Sequence, residues 1–299
     1  STGNKCVMWG TDMGLNAAMA PSADFKIGDK TITICAFDAS EATQNLHQKL
    51  VNVIASGPSI TDLAFTELLD MPTIFVNGSI SLTNQYHFTH IVGYVISDAR
   101  FISHQPEILQ QYYTGQPLYA TLSVFEAMAI THPTLLLMHH QAMRILHPVD
   151  RPLATKAKPS FFSKLGFKGK LLNKKKSLTE FKTHPNFVID DAHKPKPIGV
   201  SLDITYGFVE GGTVAYIAAQ LAFSRQAGAI HLYGIDLLNS DQPRFYESTD
   251  NSAPSKLSKA ITDRIVPSFN LLGRVYKDQG VPVTNFSPIS KDLFNSLNG

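Results

Sequence analysis

Short apolar runs rich in β-branched residues alternate along this chain with stretches whose apolar positions recur every three or four residues. The runs predict strands at Thr31–Phe37, Val51–Ala55, Thr73–Val76, Ile91–Ile96, Thr134–Met138, Ile230–Tyr233 and Val283–Phe286. Most carry at most one polar residue, the near-continuous apolar pattern of strands buried on both faces of a parallel sheet. The intervening stretches predict helices at Ser40–Leu50, Ile60–Leu69, Pro106–Tyr113, Gly212–Gln226 and Ser255–Lys277. Strands and helices in that order predict an α/β fold, a Rossmann-like, doubly wound and mostly parallel sheet. No repeat of 20–50 residues is visible.

One segment breaks the rhythm. Between Pro152 and Thr179 there is no Asp or Glu, while Lys156, Lys158, Lys164, Lys168, Lys170, Lys174, Lys175 and Lys176 accumulate among Phe161, Phe162, Leu165, Phe167, Leu171 and Leu172. Downstream, His193–Pro197 reads as an extended connector. Residues 152–197 are therefore expected to form a basic insertion across the mouth of the site, within a domain spanning 51–299. Residues 1–50 are expected to be an N-terminal extension of the same α/β domain.

The 299 residues suffice to bury a core, and 43% hydrophobic with 17% charged residues excludes a wholly disordered chain. Two cysteines, Cys6 and Cys35, are too few for a disulfide framework, so a reducing compartment is the default expectation, with a pairing between them left open. No apolar run reaches the roughly 20 residues that cross a bilayer, and the first residues lack a basic-then-apolar leader pattern. The chain is expected to be soluble and cytoplasmic. Its net charge of +2 argues against nucleic acid as a partner, because the basic residues gather in one segment.

Four segments at predicted strand ends or helix starts could carry chemistry. Ser56, Gly57, Pro58 and Ser59 follow the strand Val51–Ala55, where a glycine lets a ligand approach the backbone and a proline opens a helical turn whose free N–H groups attract phosphate. Asn77 and Gly78 follow the next strand, so Asn77 either bonds a base or ribose or simply makes a tight turn. Asp98 and Arg100 follow Ile91–Ile96 and could act as base and anion clamp, or equally as a surface pair or helix cap. Gly211, Gly212 and Thr213 open a helix with a small face (Ala215, Ala218, Ala219, Ala222), and Asp236 ends the strand that follows it. Arg244, Tyr246 and Glu247 lie a short loop further on and offer anion-binding and proton-transfer groups.

Other signatures are missing. The chain has no Asp-x-Asp metal pair, no P-loop, no Gly-x-Gly-x-x-Gly fingerprint and no Cys/His zinc spacing. His139 and His140 would point to opposite faces of a strand, and His87 and His90 are expected to be ordinary surface or satisfied histidines. No metal site is expected.

Taken together, Phe75 to Ser79, Ser97 to Phe101, Gly212 to Ser224, Gly234 to Leu237, Arg244 to Glu247 and Ala253 to Ser258 resemble the lipopolysaccharide core biosynthesis protein Z family. That family is associated with adding a third Kdo (3-deoxy-manno-octulosonic acid) to the inner core, and the resemblance covers about Val51 to Pro288. A more distant likeness is to bacterial sialyltransferases that use CMP-sialic acid, through the Gly57-Pro58-Ser59 turn, Asn77, the small-residue helix and the ending Gly234-Ile235-Asp236. Those sialyltransferases carry a histidine base after that ending and a tyrosine pair for the leaving phosphate. Here Ser240 to Ser258 contains no histidine, and Leu237 and Leu238 replace an aromatic position, although Tyr246 supplies one phenol.

The resemblance implies an inverting, metal-independent glycosyltransferase without a cofactor, moving Kdo from the donor CMP-Kdo to the lipopolysaccharide inner core or lipid A. Ser56–Ser59, Asn77, Gly78 and Asp236 would hold the nucleotide. Gly211–Thr213 would meet its phosphate, with Arg100 and Arg244 binding phosphate or carboxylate. Asp98, Glu247 and Tyr246 are the candidates for catalysis, with Glu210 a further candidate base. The lysine-rich segment, through Lys164, Lys168, Lys170, Lys174, Lys175 and Lys176, fits an anionic acceptor and the inner face of the inner membrane, at about 1 kcal/mol per lysine near the surface. The rival expectations are a sialyltransferase using CMP-sialic acid and a non-catalytic scaffold of lipopolysaccharide assembly.

Overall fold

The computed structural model describes residues 19–42, 46–151, 175–237 and 260–297. The chain opens with an antiparallel hairpin, β1 (Ser22–Ile27) and β2 (Lys30–Cys35), followed by the short helix α1 (Ala39–Ala42). Five strands come next: β3 (Leu50–Ile54), β4 (Thr73–Val76), β5 (Ile91–Ile96), β6 (Leu118–Ala120) and β7 (Met143–Ile145). Helices α2 (Ala99–His104) and α3 (Pro106–Tyr112) join β5 to β6, and α4 (Leu122–Thr131) and α5 (Pro133–His139) join β6 to β7. A second hairpin, β8 (Phe187–Asp190) and β9 (Ile198–Ser201), precedes α6 (Val214–Ser224), β10 (Ala229–Tyr233), α7 (Val266–Asp278) and β11 (Val283–Asn285).

The central sheet has seven strands in the order β11-β10-β3-β4-β5-β6-β7, each pair parallel. From β3 the chain winds one way to β7, then returns to lay β10 and β11 on the other side of β3. The sheet's two faces follow from the period of two along each strand. Val51, Val53, Ile74, Val76, Val95, Tyr119, Ile230 and Leu232 meet α6 and α7 in one buried cluster. Ile54, Phe75, Tyr94, Ile96, Leu118, Ala120 and Tyr233 meet the cluster of α2–α5 and the first hairpin on the opposite face. Reversing the winding direction moves the connecting helices to the other face, because parallel crossovers keep one hand.

The small face of α6 does what its sequence predicts, with Ala215, Ala218, Ala219 and Ala222 all buried against the sheet. One polar residue interrupts it. Gln220 is fully buried, and its Oε1 accepts from Ser201 N (3.0 Å) and Val209 N (3.1 Å). Its Nε2 donates to Val209 O (2.9 Å) and Tyr216 O (3.2 Å), so all of its bonding capacity is used. Tyr216 and Tyr276, both buried, donate to Gly199 O and Ser201 O, each at 2.8 Å. Burial pushes both phenols far above their ordinary range, at Tyr216 despite the nearby charge of Arg264, so they remain donors.

Several elements differ from the sequence expectation. Thr134–Met138 is not a strand: Pro133 starts helix α5, in which Leu136 is buried while Met138 is 66% exposed. Ile60–Leu69 is not a helix but a 3-10 turn over Pro58–Asp62, where the Thr61 hydroxyl bonds back to Pro58 O and competes with helical pairing. The helix expected over Ser40–Leu50 stops at α1, since Gln48 takes a left-handed φ of 56° and Leu50 already belongs to β3; residues 43–45 lie outside the described set. Thr31–Phe37 forms β2 of the hairpin rather than a central strand, and beyond it Phe37 N donates to Ile145 O (2.9 Å) beside β7. Cys35 is disulfide-bonded, so cysteine usage lends no support to a reducing compartment; Cys6 lies outside the described residues.

Replacing Gln220 with Leu would strand two buried N–H groups, those of Ser201 and Val209, and the carbonyl of Val209. The expected cost is at least about 3 kcal/mol, read as a lower urea midpoint with unchanged slope. A midpoint equal to that of the unaltered protein would show that β9 is not held through this amide.

Candidate functional site

In an open α/β sheet the strands on either side of a winding reversal splay apart at their C-terminal ends and leave a crevice. Here the reversal lies between β3 and β10, and the two strand ends that border it are tied together. Gly57 N donates to Gly234 O (2.9 Å), while Ser59 N and Ser59 Oγ donate to Asp236 Oδ2 (2.6 Å) and Oδ1 (2.7 Å). Gly57 makes this approach possible, because a Cβ there would strike Asp236 Oδ2 and Gly234 O. Asp236 is fixed from behind as well: Ile235 N donates to Ser287 Oγ (2.7 Å) and Ser290 Oγ bonds Ile235 O. Sequence reading singles out Ser56–Ser59 and Asp236 separately, yet misses Ser287 and Ser290, which belong to no motif.

The next strand end adds an amide. Asn77 holds a left-handed φ of 48°, and its buried Oδ1 has no hydrogen-bond partner within the protein. An orphaned buried acceptor of this kind marks a place where a donor from outside fits. Gly78 is buried beside it, and the Ser79 hydroxyl accepts from Val76 N (2.9 Å) and donates to Ile54 O (2.6 Å), locking the ends of β4 and β3 together.

Asp98 caps α2, accepting from Arg100 N (2.9 Å), and the Arg100 side chain folds back onto the same carboxylate with Nε at 2.8 Å and Nη2 at 2.5 Å. Burial pushes the Asp98 carboxyl up, but the hydrogen bonds and charge of Arg100 outweigh it and leave the group below its ordinary value. Of the two readings open at this pair, the cap and ion pair are what the geometry contains. Arg100 itself projects into solvent, with its side chain 81% exposed.

Gly211–Thr213 form the start of α6 on the other face of the sheet. Thr213 Oγ1 accepts from Tyr216 N (3.3 Å), Gly212 has φ 93°, and Gly211 lies against the Tyr216 ring where a Cβ would collide. Lys175 forms an ion pair with Asp150 (2.9 Å), and Lys176 stands 5.8 Å over the Phe181 ring. Arg244, Tyr246, Glu247, Lys164, Lys168, Lys170 and Lys174 lie outside the described residues. Among the described residues no group of three or more His, Cys, Asp or Glu side chains is placed to hold a metal ion. His87 and His90 are exposed, His139 packs edge-on to the Tyr113 ring, and His140 bonds Leu137 O.

A parallel sheet whose winding reverses between β3 and β10, with a clasped carboxylate at the reversal, defines a Rossmann-like α/β protein. Residues 34–292 match the family model described as 3-deoxy-D-manno-octulosonic acid transferase WaaZ, and the chain belongs to that family. It is accordingly a glycosyltransferase. Two curated relatives are each named "Probable 3-deoxy-manno-octulosonic acid transferase". The one from Salmonella typhimurium is 26% identical over 235 residues, covering 77% of this chain and 79% of its own length. The one from Escherichia coli (strain K12) is 24% identical over 242 residues, covering 81% and 79% respectively.

A carboxylate held below its ordinary value stabilises the fold above that value and loses the effect as pH falls through the lowered one. With the Asp98 side chain 41% exposed, solvent screening keeps the contribution below about 1 kcal/mol. Asp98→Asn, which retains a cap, should therefore lose less stability than the unaltered protein between about pH 5 and pH 3, measured by urea unfolding across that range. Parallel pH profiles would remove the ion pair from the account. The same variant should keep glycosyl transfer to within about tenfold, whereas a loss of a hundredfold or more would make Asp98 the general base.

Proposed function

We propose that this enzyme transfers Kdo from CMP-Kdo to the inner core of lipopolysaccharide, inverting the anomeric centre and using neither a metal ion nor another cofactor. The observation that carries the donor assignment is the Ser59–Asp236 clasp at the winding reversal. Each Asp236 oxygen accepts one bond from Ser59 and keeps a lone pair for a ribose hydroxyl. Asn77, whose Oδ1 is orphaned, supplies an amide for the cytosine edge. Family membership supports Kdo as the sugar moved, and the relatives' names point the same way.

In this reading the acceptor hydroxyl attacks the anomeric carbon from the face opposite CMP. The carbon–oxygen bond to the phosphate breaks as the new glycosidic bond forms, and the electron pair leaves with CMP. Charge growing on the departing phosphate is met by the N-terminus of α6 at Gly211–Thr213, assisted by Arg244 and Tyr246. The acceptor's proton passes to a side chain of the Tyr246–Glu247 stretch, since Asp98 is already committed to Arg100 and is a weakened base. The metal-free reading rests on the sequence, which carries no Asp-x-Asp pair.

Gly57→Ala tests the crevice. The new methyl must displace Asp236, so the variant should fold yet lose the rise in melting temperature that millimolar CMP gives the unaltered enzyme. Equal CMP stabilisation of both proteins would move the nucleotide elsewhere. No stabilisation of the unaltered enzyme by CMP would sink the donor assignment itself.

The acceptor side is read from charge. The run of lysines from Lys164 to Lys176 supports docking on the anionic cytoplasmic surface of the inner membrane, where the acceptor is anchored. No helix among the described residues is long and apolar enough to cross a membrane. The enzyme should co-sediment with vesicles containing anionic lipid at low salt and be released at about 1 M salt, where the Debye length falls to ~3 Å. Failure to bind such vesicles at low salt would overturn the membrane assignment.

A further inference from the structure

Beside the start of α6, five charged side chains from four separate segments gather, three of them cations around two carboxylates. Asp150 and Arg151 follow β7, Lys175 opens the next described segment, Glu210 immediately precedes Gly211, and Arg264 lies in the wide helical turn before α7. Lys175 Nζ is hydrogen-bonded to Asp150 Oδ2 at 2.9 Å, and the Arg264 guanidinium donates to the Glu210 backbone oxygen at 2.9 Å. These two contacts fix two of the three cations.

The Glu210 carboxylate is held differently. Its Oε2 has Arg264 Nη2 at 3.6 Å, Arg151 Nη2 at 3.8 Å and Lys175 Nζ at 4.0 Å. Three cations thus face one oxygen, and every one stands beyond hydrogen-bond distance. A guanidinium delivers its full effect only through a bidentate fork at about 2.8 Å, so these contacts leave most of that capacity unused. The three cations are 39%, 53% and 43% exposed and within reach of a solute. Asp150 adds an independent sign: it is 5% exposed, and its Oδ1 has no hydrogen-bond partner, with Arg151 Nε no nearer than 3.9 Å. That oxygen calls for an O–H or N–H donor.

We propose that Arg151, Lys175 and Arg264 form a subsite for the carboxylate of an acidic sugar, with a sugar hydroxyl directed to Asp150 Oδ1 and Glu210 as the internal counter-ion that gives way. A polyhydroxylated 2-keto acid supplies both an anion and hydroxyl donors, whereas a simple anion leaves Asp150 unmet. The proposal rests on the Kdo-transfer reading for the identity of the sugar. The carboxylate could belong to the donor's Kdo or to a Kdo already present in the acceptor, and the subsite has the same chemistry in both cases.

The test compares free Kdo with Kdo methyl ester, the same sugar without its charge, by calorimetric titration of the full-length enzyme. Kdo should bind at least about tenfold more tightly than the ester. Arg151→Gln should erase that difference, and Glu210→Gln should raise affinity for Kdo several-fold by removing the competitor. Equal binding of Kdo and ester to the unaltered enzyme, or a difference that survives in Arg151→Gln, overturns the subsite. In steady-state assays Arg151→Gln should raise KM for CMP-Kdo if the donor is held there, or KM for the acceptor if the acceptor is. Unchanged KM for both also overturns it. CMP titration of the same Arg151→Gln protein should match the unaltered enzyme, so a failure of the nucleotide crevice shows separately from a failure of this subsite.

Discussion

Asp236 accepts both hydrogen bonds that Ser59 can offer, and the crevice takes its shape from that arrangement. Without it, the turn after β3 and the turn after β10 would splay apart, as neighbouring strand ends do where winding reverses. The clasp in turn depends on the missing side chain at Gly57 and on the serines behind Ile235. The Asp236 carboxylate and the Ile235 backbone beside it therefore tie together the ends of three strands, β3, β10 and β11, at the edge where a ligand can enter.

The two faces of the sheet contribute unequally to that edge. On one face α2–α5 and the first hairpin pack an almost wholly apolar layer. On the other, α6 starts near the strand ends, and polar contacts fix its position in addition to the apolar packing of its alanine face. Gln220, Tyr216 and Tyr276 tie α6 and α7 to β9 through buried backbone groups. Apolar packing tolerates small slides, whereas a four-bond amide does not. The N-terminus of α6, and the charges around Glu210 beside it, are thereby held at a fixed place over the sheet.

Much of this was legible in the sequence, and the gaps have physical causes. The strands β3, β4, β5 and β10 announce themselves because burial on both faces favours runs that are almost wholly apolar and rich in β-branched residues. The strands β6 and β7 are three residues each, too short for any periodicity to emerge. Thr134–Met138 has a strand's composition, and only Pro133 at its head betrays the helix. At the site, Gly57, Ser59, Asn77 and Asp236 could be found one by one, since strand-end glycine, serine, asparagine and aspartate are informative singly. Their pairing could not, because the Ser59–Asp236 bond joins residues 177 positions apart. Asp150, Arg151 and Arg264 escape notice for the same reason: each is an ordinary surface-type residue until four separate segments meet.

That separation also shapes how the protein is made. As the chain leaves the ribosome, β3 pairs with β4 and the sheet grows toward β7, so one half of the crevice is complete early. The opposite edge of β3 has to wait for β10, and Asn52 stays unpaired with His231 until nearly the whole chain has emerged. Contacts of such span close slowly, and an apolar strand edge left open in the meantime is a template for misassociation. The bond that organises the finished site thus forms late, and a chain that ends between β7 and Asp236 leaves the β10-facing edge of β3 unpaired and Ser59 without its acceptor.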